Sequence, residues 1–266
     1  MISIGMLRDV WAFRGFIWGS VKREFQTRWQ GTQFGPIWIV ANPLATIFIF
    51  TVIFANIMRP SLPGHDSPYA YSIYLCAGVL AWNLFSELLS RCVGIFVEHG
   101  NLLKKMHFPK LVLPIMVITS GFLNFCIVFA LFLLFLAFSG NFPGWIVWAT
   151  LPVLAVQMAL TAGLGMFLGT INVFYRDVQQ STALVLQFWF WLTPIVYAAS
   201  GLPDSVKRAL EWNPMWPLIR AYQTIFLEHK APDWLGLAFP LAVAVVFMFL
   251  GVLSFHRLQG EIVDEL

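Results

Sequence analysis

The sequence predicts an all-α polytopic membrane protein: six transmembrane helices, an amphipathic interfacial helix at the N-terminus, and short external re-entrant helices between spans five and six. Three observations predict it. First, 59% of the 266 residues are apolar and only 11% are charged, with a mean hydropathy of +0.76; a soluble domain carries roughly 25% charged residues. Second, nothing between Lys110 and Arg176 is Asp, Glu, Lys, Arg or His. That run is long enough to cross a hydrocarbon core of ~30 Å at about 20 residues per helix, and to return. Third, irregular backbone exposed to lipid leaves N–H and C=O groups unpaired, so apolar spans of this kind must be helical.

Residues 7–30 are too charged to cross. Val10, Phe13, Ile17, Val21 and Phe25 recur at helical spacing on one side, opposite Arg8 and Lys22, with Trp11, Trp18 and Trp29 interspersed. An apolar, Trp-bearing face opposite basic residues describes a helix lying in the membrane surface. No uninterrupted apolar core or small-residue cleavage site marks a signal peptide, so the N-terminus is expected to be retained. The charge-free windows then place spans at 36–58, 67–91, 111–138, 145–173, 178–199 and 234–255, all within one domain covering 1–266. The third and fourth are divided by the turn cluster Ser139–Gly144 (SGNFPG).

Six spans put both termini on one side. Arg8, Arg14, Lys22, Arg23, Arg28, Arg91, Lys104, Lys105, Lys110, Arg176 and Arg257 then share that side, against Arg59, Lys207, Arg208, Arg220 and Lys230 on the other. Positive loops stay cytoplasmic, so both termini are expected inside. Arg176 and Asp177 fall between spans four and five. A cation suits the end of one helix, and Asp177 is expected to cap the start of the next.

Two connections stand out. Residues 97–109 form a short basic loop with a helical turn or two before Pro109. Residues 200–233 form the largest external segment, with short helices expected at 204–212 and 218–227, broken by Asn213-Pro214 and Pro217.

Soluble chemistry is missing from the sequence. It has no HExxH, no Gly-x-Ser-x-Gly and no GxxxxGK[ST] phosphate loop, and its five histidines are scattered. No catalytic or metal-ligating residues are assigned, and any nucleotide that powers the protein must bind another chain. Cys76, Cys92 and Cys126 lack metal or disulfide spacing and are expected to pack as small hydrophobes. Glu87 is the one intramembrane acid of note, four residues before Arg91, where the pair supports the helix; a structural or lid-like role is expected, with proton coupling as the alternative.

Several segments together resemble permease subunits of bacterial ABC exporters for polysaccharides. RWQGTQFGPIWIVANPL (Arg28–Leu44) resembles that family's approach to its first helix, and NLLKKMHFPKLVLP (Asn101–Pro114) its loop between helices two and three. FYRDV (174–178) followed by LTPIVY (192–197) resembles its helix-four to helix-five junction, and NPMWPLIRAYQ (Asn213–Gln223) its external loop. The matches keep the family's order along most of the chain.

The resemblance implies a homodimer in the cytoplasmic membrane, bound to two copies of a separate ATPase that holds ATP and Mg. Its implied cargo is a lipid-diphosphate-linked glycan of the O-antigen, capsule or teichoic-acid kind; membrane lipids surround it, and nucleic acid is not a partner. It further implies that Asn101, Leu102, Lys104, Lys105 and His107 meet the ATPase, and that Trp212, Pro214, Trp216 and Arg220 belong to an external gate. On a helical wheel Trp189, Phe190 and Tyr197 share an arc with Thr193, which makes them candidate channel aromatics; ordinary packing accounts for the same pattern. A drug or lipid ABC permease and a membrane enzyme of envelope glycan assembly are the alternative functions.

Overall fold

The computed structural model describes residues 11–27, 37–53, 69–105, 110–258 and 260–265, and every regular element among them is helical. In order these are α1 (Arg14–Thr27), α2 (Ile37–Thr51), α3 (Ala70–Glu98), α4 (Gly100–Lys105), α5 (Val112–Phe138), a 3-10 segment (Gly144–Ala149) running into α6 (Thr150–Phe174), α7 (Asp177–Trp191), a 3-10 turn (Ala199–Gly201), α8 (Asp204–Leu210), α9 (Met215–Gln223) with a π-helical extension (Thr224–Glu228), α10 (Ala238–Leu258) and α11 (Ile262–Glu265).

Among the described residues, four stretches are long and apolar enough to cross a membrane: α3, α5, Gly144–Phe174 and α10. The other two expected spans are shorter among the described residues. α2 and α7 have 15 residues each, about 22 Å of helix; residues 54–58 of the first expected span lie outside the described residues.

Several boundaries differ from the sequence expectation, each for a physical reason. α3 does not stop near Arg91 but continues to Glu98, because Arg91 is neutralised inside the bundle. Its guanidinium lies 2.7 Å from Glu24 on α1 and 3.7 Å from Glu87 one turn back, and donates to Ser120 Oγ on α5 at 3.3 Å. Conversely, α7 ends at Trp191 rather than near residue 199. Pro194 has no N–H for a further turn and its ring disfavours helical backbone in the residue before it. Pro217 does not break a helix, since it sits in the first turn of α9, where no intrahelical N–H is required.

α3 is the central helix, with most of its side chains buried against α5, α6, α7 and α9. Lipid offers no hydrophobic drive to bring helices together, so close approach and interhelical hydrogen bonds must do it. Both operate on α6. A Cβ at Gly163 would lie 2.6 Å from the backbone nitrogen of Met248, so α10 can approach only a glycine there. On the other side of α6, a Cβ at Gly169 would lie 2.5 Å from the carbonyl oxygen of Cys92. Gln157 Nε2 donates to the Ala81 carbonyl at 2.7 Å, and Asn172 Nδ2 to the Val93 carbonyl at 3.0 Å.

One end of the bundle joins the start of α3 to the ends of α5 and α7, through Tyr69 against Phe135 and the Tyr71 hydroxyl on the Val196 carbonyl. The other joins Phe96 of α3 to Phe255 of α10. At this second end Asp177 makes no side-chain capping bond to α7. Asn172 serves instead, its Oδ1 accepting from the Gln179 N–H at 2.9 Å.

Two outcomes test this account. Gly163→Val places methyl groups against an α10 backbone that cannot yield, and should destabilise the protein by about 1–3 kcal/mol in reversible unfolding from detergent micelles. Arg91→Leu removes a counter-ion from Glu24 and Glu87 and should cost about 2 kcal/mol in the same assay, given charge-assisted hydrogen bonds of about 1.5–3 kcal/mol; Glu24→Gln combined with Arg91→Leu should recover part of that loss.

Candidate functional site

The end of α7 carries the candidate aromatic residues, and the structure separates them. Trp189 and Phe190 lie on the helix and point back into the protein. Trp189 meets Trp82 edge-on at 6.2 Å and Phe85 at 5.3 Å, and Phe190 meets Trp82 at 5.7 Å. Tyr197 is not part of that arc, because the helix has ended six residues earlier; its hydroxyl donates to the Trp191 carbonyl at 2.9 Å. The rings that α7 turns outward are Phe188 and Trp191, 68% and 61% exposed. They share a face with Leu184 and Val185. Sequence reasoning singled out Trp189, Phe190 and Tyr197 and not these two rings, since composition alone does not say which face α3 covers.

Beyond α7 a polar knot fixes the irregular chain. The Trp189 indole N–H donates to Asn213 Oδ1 at 2.8 Å, which also accepts from the Met215 N–H at 3.0 Å. Asn213 Nδ2 donates to Thr193 Oγ1 at 2.9 Å, and that hydroxyl donates to the Trp189 carbonyl at 2.8 Å. Tyr74 OH reaches the Tyr197 and Pro194 carbonyls at 3.0 and 3.2 Å. The carbonyls freed by the helix end are thereby satisfied. Asn213 was legible only as a turn residue before Pro214; its role as the hub is visible only in three dimensions.

The expected gate residues divide. Trp212 is exposed and packs edge-on against Phe239 at 6.3 Å. Pro214 and Trp216 are half-buried at the start of α9, and Arg220 is exposed. Yet α9 is not a surface helix. Met215, Leu218, Ile219 and Tyr222 are wholly buried, with α9 against α3 and α6. Burial pushes the Tyr222 phenol above its ordinary pKa and keeps it protonated. Phe226, in the π-helical extension, contacts Phe129 and Phe132 of α5.

At the opposite end, α4 follows α3 directly. It presents Lys104 outward and is anchored by buried Leu103, with α11 against it. Asn101, Leu102 and Lys105 lie on the same short helix; His107 lies outside the described residues.

α2 is the other conspicuously uncovered helix. Ile37, Trp38, Leu44, Phe48 and Ile49 are exposed, and its contacts are with α3 and α5. Together α2 and α7 leave two apolar faces open, and α10 exposes a third through Leu241, Val245, Val246 and Phe249.

Comparison with known proteins accounts for this architecture. Residues 16–227 match the family model described as ABC-2 type transporter. The chain is 30% identical to the O-antigen export system permease protein RfbA of Myxococcus xanthus, over 99% of this chain and 100% of the relative. It is 27% identical to the protein of the same name from Klebsiella pneumoniae, over 92% of each. Against the polysialic acid transport protein KpsM of Escherichia coli the identity is 20%, over 90% of this chain and 91% of the relative. With a match that extends from α1 to the π-helical extension after α9 and relatives aligned along nearly their whole length, this multi-pass membrane protein belongs to the ABC-2 type transporter family.

Proposed function

We propose that this chain is the permease half of an ATP-driven exporter, moving a lipid-diphosphate-linked polysaccharide of the O-antigen kind across the cytoplasmic membrane. The observation that carries this reading is the end-to-end similarity to proteins named O-antigen export permeases. The uncovered faces of α2 and α7 support it. They suit a second copy of the chain, with the outward rings of Phe188 and Trp191 along the shared path. Aromatic faces suit a sliding sugar chain because each contact is weak, and conduction needs sites that are left as easily as they are entered.

In this reading the α4 end faces the cytoplasm together with both termini, as the distribution of Lys and Arg supports. Each permease meets one ATPase subunit through α4. Asn101, Leu102, Lys104, Lys105 and the adjoining His107 form the contact. ATP and Mg bind to the ATPase, and this chain transmits the stroke. α3 is suited to that task, since it joins α4 directly to the aromatic cluster beneath α9. At the external end, Trp212, Pro214, Trp216 and Arg220 act with the 200–233 segment as the gate.

Mass measurement of the complex purified in mild detergent should give two copies of this chain with two of an ATPase; a lone permease after crosslinking in the membrane would overturn the assembly. Reversing charge with Lys104→Glu and Lys105→Glu together should lower surface glycan at least tenfold at unchanged membrane abundance. Wild-type export by that variant would remove those two lysines from the coupling contact.

A further inference from the structure

On the side of α3 away from α7, a cavity of about 240 Å³ lies between α2, α3 and α5. Its lining is mixed, polar and aromatic. Polar groups come from three helices: Asn42 and Thr46, one turn apart on α2; Asn83 and Glu87, one turn apart on α3; and Asn124 on α5. Apolar groups come from the same helices, among them Phe50 one turn beyond Thr46 and Phe125 and Val128 beside Asn124.

The polar part of the lining is only partly satisfied by protein. Asn124 Nδ2 donates to Glu87 Oε2 at 3.3 Å, while Arg91 approaches the other carboxylate oxygen at 3.7 Å. The Thr46 hydroxyl donates to the Asn42 carbonyl at 3.0 Å, which leaves its own oxygen able to accept. Among the described residues the carboxamides of Asn42 and Asn83 make no hydrogen bond; both line this space and both are exposed. Polar groups at membrane depth are costly and signal function; leucines at these positions would have filled the space without that cost.

We infer that this cavity is a subsite for one neutral sugar residue of the transported chain, an inference that rests on the polysaccharide-export reading. A pyranose ring has a rim of hydroxyls, each donor and acceptor, and apolar C–H faces. Carboxamides match the rim in both senses, the Glu87 carboxylate accepts from it, and the electron-rich aromatic rings receive the C–H face. The same carboxylate repels a phosphate. It already has Arg91 as its counter-ion, so a cationic ligand gains little, and an acyl chain would leave Asn42 and Asn83 unpaired. The volume is below the roughly 300–1,000 Å³ of pockets for drug-sized ligands, which fits a single ring.

The test uses the permease with its ATPase in exporting cells, with the photoreactive residue p-benzoylphenylalanine replacing one side chain at a time. The positions are Val79 on the cavity wall, Phe188 on the open face of α7, and Val245 on the outer face of α10. After irradiation, glycan attached to the permease is read by lectin blot. Adducts are expected at Val79 and Phe188 and not at Val245. Asn42→Leu with Asn83→Leu, which leaves no protein partner stranded, should cut the Val79 adduct at least tenfold and spare the Phe188 adduct. Should the Val79 variant fail to accumulate, Val128 carries the probe. Glycan at Phe188 but not in the cavity, lipid in place of glycan there, or a cavity adduct indifferent to the double leucine variant would each overturn the subsite while leaving export intact. Glycan at none of the positions, in cells whose surface glycan is unchanged when this permease is deleted, would overturn the export reading along with it.

Discussion

The close approach of α6 to α3 and α10 is the constraint on which the rest of the molecule depends. In water, burial of apolar area would hold these helices together; in lipid it does not. The backbone of α6 therefore touches its neighbours at Gly163 and Gly169, and its amides at Gln157 and Asn172 take up carbonyls of α3. A side-chain amide donating to a carbonyl that already serves its own helix adds a bond without breaking one. Such bonds average about 0.6 kcal/mol in membranes, so their effect here is to fix rotation and register more than to supply stability. With α3 fixed, its aromatic residues meet α7, its polar residues meet α1 and α5, and its last turn delivers α4.

The two ends of α3 are held by different chemistry. At the Tyr71 and Tyr74 end, phenol hydroxyls and the Asn213 knot satisfy carbonyls of the chain just past α7. At the other end, Glu24, Arg91 and Ser120 tie α1 and α5 to the same helix through charge. Through α3, α4 is thus connected to α1 and to the aromatic cluster alike. α2 stands outside both sets of bonds and keeps Ile37, Trp38, Leu44, Phe48 and Ile49 exposed.

Much of this was legible in the sequence. Long windows without charge gave α3, α5, α6 and α10, and the SGNFPG cluster gave the turn between α5 and α6. Arg91 misled as a boundary because a charge marks a helix end only when it must reach water; Glu24, the lone acid of α1, lies 67 positions away and removes that need. Pro194 was visible, and its effect on Tyr197 follows from backbone chemistry, but the helical wheel carried the arc past it. The apolar pattern of α9 could not reveal burial, since an interfacial helix and an inserted one present the same residues. The polar pairs at 42/46 and 83/87 each define a helix face, yet nothing in the sequence says that the two faces meet.

The turn between α5 and α6 bears on how the chain is made. It is built from Ser139, Gly140, Asn141, Phe142, Pro143 and Gly144, and no charged side chain lies between Lys110 and Arg176. Each Asp, Lys or Arg at a helix centre opposes insertion by roughly 2.5–3.5 kcal/mol, and this stretch carries none. During synthesis α5 and α6 can therefore enter the bilayer as one preformed hairpin, the turn crossing without a polar anchor to drag. Lys110 and Arg176 bracket the hairpin at its two open ends.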